Sequence, residues 1–157
     1  MLANRGAFIN VPNTLKAKVG SPVLNGDAVA KAEAALKALS ANFAQWLADE
    51  VARLEAARAA VHAQGRTAAT METLYFRAHD LKGLGATYEF PLVGRIGGSL
   101  CRLLDEPDKR LTAPLALLDA HVDAIRACVR DEIRDESHPV GTALAAELEA
   151  RVAAHTG

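Results

Sequence analysis

The sequence predicts an all-α protein: an antiparallel up-down four-helix bundle with an extended N-terminal arm and an additional short C-terminal helix. Three observations carry that expectation. Among the 157 residues, 33 Ala and 20 Leu stand against 15 Val plus Ile, so strong helix formers far outnumber β-branched strand formers. Over most of the chain apolar residues recur at steps of three and four, the period of a helix with one buried face. With 50% hydrophobic and 24% charged residues, the composition is that of one globular domain and not of a disordered chain.

Residues 1–26 hold Gly6, Pro12, Gly20, Pro22 and Gly26 without a sustained helical period and read as the arm, leaving 27–157 as a single helical domain. Asp27 can cap a first helix running to about Gln64, with Leu36, Leu39, Phe43, Leu47, Val51, Leu54 and Val61 as its apolar seam. Ser40 or Asn42 could instead start a new helix within it. Gly65 is a stop signal, Thr67 or Thr70 can cap the second helix, and Glu72 suits its first turn. That helix is expected to end near Tyr88. Pro91 then fits a first turn, and Val93, Ile96, Leu100 and Leu103 stripe a third helix that stops before Pro107. Pro114 opens a fourth, in which Leu111, Leu115, Leu118, Val122, Ile125 and Val129 alternate steps of four and three to about Asp135. After Ser137-His138-Pro139, the residues Leu144, Leu148 and Val152 mark the shorter last helix. Four longer helices with short connections imply the bundle, with the arm and last helix packed outside it.

The charge balance excludes several functions. A net charge of −1 lacks the basic footprint of nucleic-acid binding. No apolar run approaches the ~20 residues of a membrane span; the stretch from Pro114 to Val129 is broken by Asp119, His121, Asp123 and Arg126. Met1 to Asn10 has no apolar secretory core, so a cytoplasmic protein is expected. Cys101 and Cys128 lack C-x-x-C spacing and read as small buried hydrophobes. His62, His121, His138 and His155 read as surface or helix-end residues, and the absence of paired metal-ligand spacing predicts no metal and no cofactor of the chain's own.

Chemistry concentrates in the second helix. With His79 set at zero and each residue advancing by about 100°, Leu74, Ala78, Leu81, Gly85 and Tyr88 fall between about 180° and 260°, forming the inward stripe. His79 therefore points outward, flanked by Tyr75 and Lys82 on one side and Phe76 and Gly83 on the other, with Ala86 a further turn along. An internal helix glycine costs roughly 1 kcal/mol relative to alanine. Gly85 can be explained by close approach to Gly94, Gly97 or Gly98 of the third helix; Gly83 has no such explanation and instead removes bulk beside the imidazole. A histidine ring is mostly neutral at pH 7 and can attack phosphorus, while Lys82 is suited to steadying an anion on it. Tyr75 and Phe76 read either as flanks of the core or as an apolar docking patch. Arg95 and Arg102, seven apart, read either as a solvated face or as an attraction for an acidic partner.

His79-Asp80-Leu81-Lys82-Gly83 closely resembles the His-x-Leu-Lys-Gly motif of histidine-containing phosphotransfer (HPt) domains of two-component phosphorelays, and the likeness extends from Glu72 to about Asp105. The resemblance implies that His79 is the phosphoryl acceptor, Lys82 its electrostatic neighbour, and Gly83 the clearance for a receiver domain, the remainder of the bundle being scaffold; Tyr75, Phe76 and Ala86 are read with Gly83 as partner-binding residues because their helical angles place them around His79. It further implies a monomeric phosphoryl carrier with no ATP site or kinase activity. Its partners would be receiver domains of response regulators and hybrid histidine kinases, which supply the aspartate and the Mg²⁺. The chain departs from the common pattern at Leu84, where a small residue is usual, and at Glu89, where a glycine is, which suggests a reshaped turn before the third helix. A non-phosphorylated helical adaptor is the alternative reading. A histidine-kinase dimerisation fragment fits less well, because four long helices already complete a bundle.

Overall fold

The computed structural model describes residues 25–157, so the predicted arm lies outside the described residues except for Asn25 and Gly26. Every regular element among the described residues is a helix: α1 (Gly26–Gln64), α2 (Ala68–Thr87), α3 (Pro91–Leu104), α4 (Pro107–Arg110), α5 (Leu115–Arg130) and α6 (Pro139–Thr156). None is long and apolar enough to cross a membrane. The chain divides into two compact units, Met1–Lys37 and Ala38–Gly157. In the first, every described residue is exposed. The second contains the core.

Helix α1 is unbroken at Ser40 and Asn42, but its buried seam is shorter than the periodicity predicts. Leu47, Val51, Leu54, Ala57 and Val61 are buried, whereas Leu36 and Leu39 are 65% and 44% exposed and Phe43 only half-buried. The buried part of the seam, from Leu47 to Val61, lies within the second unit. Across the covered part, Arg58 pairs with Asp123 at 2.7 Å, His62 meets Asp119 at 2.9 Å, and Arg126 pairs with Glu55, joining α1 to α5.

Thr67 caps α2: its hydroxyl accepts from the Thr70 backbone N–H at 3.1 Å, and the Thr70 hydroxyl in turn accepts from the Thr67 backbone N–H at 3.0 Å. The helix ends where Glu89 adopts a left-handed φ of +67°. Pro91 then starts α3, which is buried on most of its circumference and packs against α2, α5 and α6. The single turn α4 is an addition that periodicity does not reveal.

Two expectations about the C-terminal third are corrected. The fourth predicted helix does not continue to Asp135; α5 ends at Arg130, because Glu132 turns left-handed and the Ile133 N–H closes on the Cys128 carbonyl at 2.8 Å. The last helix is neither short nor peripheral: α6 has 18 residues, and Gly141, Ala145, Leu148 and Val152 are buried in it. The predicted stripe through Leu144 lies at the edge of this face, since Leu144 itself is exposed. Gly141 packs closely, since a Cβ there would lie 2.6 Å from the tips of both the Leu92 and Ile133 side chains, which would have to shift. Cys101 and Cys128 are buried free thiols, as expected.

His121, expected at the surface, is completely buried. Its Nδ1 lies 2.7 Å from the Leu117 carbonyl, which only accepts, so Nδ1 carries the proton and Nε2 accepts from the Ser99 hydroxyl at 2.9 Å. A neutral ring is thereby satisfied on both sides. Burial pushes the His121 pKa down, opposed in part by the Leu117 hydrogen bond. The unfolded chain therefore binds a proton that the native chain resists, and stability from this residue is complete above about pH 6.5 and lost as pH falls through the lower native value. Melting temperatures measured from about pH 7.5 down to pH 5 should fall with acidification, and His121→Gln should flatten the upper part of that decline. An identical slope in the variant would assign the titration to other groups.

Candidate functional site

The site is built on the outer face of α2. Met71, Leu74, Ala78, Leu81 and Gly85 point inward and are buried, leaving Phe76, His79, Lys82, Gly83 and Ala86 exposed and Tyr75 half-buried. These are the orientations that the helical period predicts. Gly85 is the point of closest approach: a Cβ there would lie 2.4 Å from the Gly94 backbone nitrogen and 2.7 Å from its Cα, so α2 and α3 meet backbone to backbone. Gly97 continues the contact, with its missing Cβ 3.1 Å from the Lys82 backbone nitrogen. Gly98 leaves a track for the Lys82 stem, whose Cγ, Cδ and Cε lie 3.6 to 3.9 Å from where its Cβ would be. Gly83 differs from all of these. Nothing lies within 4 Å of a Cβ at that position, so core packing does not demand a glycine there.

Around the imidazole, the Tyr75 ring lies 6.3 Å from His79 between centroids and 5.7 Å from Phe76. The Tyr75 hydroxyl donates to Asp105 Oδ1 over 3.4 Å, and burial together with the Asp105 charge raises its pKa. Phe76 is 54% exposed, an uncommon position for a phenyl ring. Asp80 pairs with Arg77 at 3.6 Å. Beneath the face, burial pushes the Cys101 thiol up to about 11, with Lys82 pulling it back slightly, so this sulfur is a neutral thiol at pH 7.

Of the two arginines read as a possible partner attraction, Arg95 is committed within the fold. It binds Glu149 bidentately at 2.7 and 3.0 Å and Glu136 at 3.1 Å, and its hydrogen bond holds the Glu149 carboxyl below the usual range. Arg102 is exposed. His62 is engaged with Asp119, and His138 accepts from the Gly141 N–H at the start of α6. Among the described residues no group of three or more His, Cys, Asp or Glu side chains is arranged to hold a metal ion.

Sequence reading missed Arg110 and Asp105, which approach the site from the far end of α3. Neither falls on an apolar period, and no motif contains them. Gly98, read as one of three possible neighbours of Gly85, instead lies against the Lys82 stem.

The arrangement presents an imidazole to solvent, with an ammonium and a bare helix surface on the following turn. It can act as a nitrogen nucleophile toward an electrophile brought by another molecule. Comparison with protein-family models, with curated proteins and with solved structures found no match.

The two glycines of this helix should respond oppositely to alanine. Gly83→Ala should raise stability by up to about 1 kcal/mol, because alanine is the better helix former in open space. Gly85→Ala should destabilise by several times that amount, roughly 3 kcal/mol or more, because backbone cannot move aside as a side chain can. Urea unfolding of both variants checks the pair; similar effects of equal sign would contradict the packing described.

Proposed function

We propose that the chain is a histidine phosphotransfer protein that relays a phosphoryl group between receiver-domain aspartates through His79. The observation that carries this reading is the exposed His79 followed one turn later by Lys82 and by a Gly83 that the fold does not require. An HPt-like antiparallel up-down four-helix bundle is the architecture proposed to bear it. Its partners are receiver domains of response regulators and hybrid histidine kinases in the cytoplasm.

In the transfer, a lone pair on a neutral His79 ring nitrogen attacks the phosphorus of an aspartyl phosphate. The N–P bond forms as the P–O bond to the aspartate breaks, and that electron pair returns to the carboxylate. The proton left on the resulting imidazolium passes to solvent. Lys82 offsets the charge of the phosphoryl oxygens, its stem running over Gly98. Gly83 and Ala86 keep the approach to the ring low, and the exposed Phe76 supplies apolar contact area to the receiver. Mg²⁺ belongs to the receiver and not to this chain.

Incubation with phosphorylated receivers should leave base-stable, acid-labile phosphate on the wild-type chain and none on His79→Gln, whose melting should stay within about 0.5 kcal/mol of wild type. Label retained in His79→Gln would move the acceptor elsewhere. Receiver binding without any label would favour the helical adaptor. Gly83→Leu should lose transfer from receivers yet keep labelling by phosphoramidate, a donor small enough to pass the added side chain. Wild-type transfer from receivers in Gly83→Leu would refute the clearance role.

A further inference from the structure

Arg110 closes the single turn α4 and is buried, 8% exposed, although its guanidinium is permanently charged. Burying a charge is costly unless its donors are satisfied. The partners it finds are not carboxylates. Nε donates to the Leu104 carbonyl at 2.8 Å and Nη2 to the Asp105 carbonyl at 3.3 Å, two acceptors left open by the end of α3. The guanidinium carbon lies over the Tyr75 ring, 4.6 Å from its centroid. Tyr75 is thus held from two directions, by Arg110 against its ring and by Asp105 at its hydroxyl.

Tyr75 stands one helical turn before His79, their rings tilted by 45° at a centroid distance of 6.3 Å. The aromatic neighbour on its other side, Phe76, is itself exposed and gives little support. Beyond the core against which Tyr75 packs, the groups that hold it come from the α3–α4 corner. We propose that Arg110 is a positioning residue for His79, acting through Tyr75: it fixes the tyrosine ring, and the ring limits the orientations open to the imidazole. As a role in transfer, this rests on the phosphotransfer reading above.

A lysine at 110 keeps the charge and can still reach the carbonyls, but it has no plane to stack on Tyr75. Arg110→Lys should therefore slow phosphoramidate labelling of His79 about three- to tenfold, the coupling expected between groups in direct contact. Tyr75→Leu, which leaves the carbonyl bonds of Arg110 in place, should slow it similarly, and Arg110→Lys added to Tyr75→Leu should slow it no further. Tyr75→Phe, which keeps the ring, should restore most of the rate. Three-bond couplings of the His79 side chain, measured by NMR on the full chain, should report broader rotamer populations in Arg110→Lys and Tyr75→Leu than in wild type.

Independent slowing by the two substitutions would overturn the proposal, as would unchanged labelling in a folded Tyr75→Leu. If Arg110→Lys does not fold, Arg110→Gln, which can still donate to the Leu104 carbonyl but places no guanidinium over Tyr75, takes its place in the same labelling and coupling measurements, and unchanged labelling and rotamer populations in it overturn the proposal. A wild-type chain that takes no label would sink the phosphotransfer reading instead; the positioning claim would then fall if His79 rotamer populations were the same in wild type and Tyr75→Leu.

Discussion

Backbone contact between α2 and α3 at Gly85 and Gly94 governs the geometry of the candidate site. With no side chain between them, the two backbones come so close that a Cβ at 85 would lie 2.7 Å from the Gly94 Cα. Several features follow from that proximity. The Lys82 stem crosses Gly98, the Cys101 thiol lies within the field of Lys82, and Asp105 at the end of α3 reaches the Tyr75 hydroxyl. A larger residue at 85 or 94 would separate these groups without altering any of them. Helix α3 also gains its burial this way: closed against α2 on one side, it offers its remaining faces to α5 and α6.

The approach of α3 is set by the turn that precedes it, and Arg134 holds that turn at three points. Its carbonyl accepts from the Leu92 N–H at 2.9 Å, its side chain pairs with Glu89 at 3.3 Å, and its guanidinium covers the Phe90 ring at 4.6 Å. Glu89 needs such support. A left-handed conformation costs a non-glycine residue roughly 1–2 kcal/mol, which the Phe90 N–H bond to the Gly85 carbonyl at 2.7 Å helps to offset. The glycine that the HPt resemblance leads one to expect here would adopt this φ without strain. What the sequence suggested as a reshaped turn is a left-handed turn made with a glutamate and anchored from the α5–α6 connection.

Legibility from sequence followed the strength of the periodic signal. The outward face of α2 was readable because five inward residues of one helix shared an arc, and because a helix-internal glycine carries a known cost. His121 was misread because its polarity hid its position, although Leu118, Val122 and Ile125 placed residue 121 within their own stripe. Only the Ser99 hydroxyl and the Leu117 carbonyl, invisible to periodicity, make a core histidine acceptable. Arg110 gave no such signal: it lies on no apolar stripe, and the Leu104 and Asp105 carbonyls that accept from it are equally invisible to periodicity. Leu36 and Leu39 erred in the opposite direction, since an apolar stripe records that a face can be buried and not that a neighbour reaches it. The end of α5 depended on Glu132, whose role comes from backbone conformation and not from composition.

Gly83 and Gly85 carry the same intrinsic helix penalty for unrelated reasons, and the contrast separates the two tasks of α2. Gly85 is required from inside, by a neighbouring backbone; at Gly83 the fold would accept a side chain, and no described neighbour asks for a glycine there. Stability is accordingly a property of the inward stripe, while His79, Lys82, Gly83 and Ala86 are exposed and add little to it. Tyr75 belongs to both sides. Half-buried, it packs against the core, receives the Arg110 guanidinium and faces the imidazole. A change in packing at the α3–α4 corner therefore has a direct route to the exposed ring, which the remainder of the outer face does not provide.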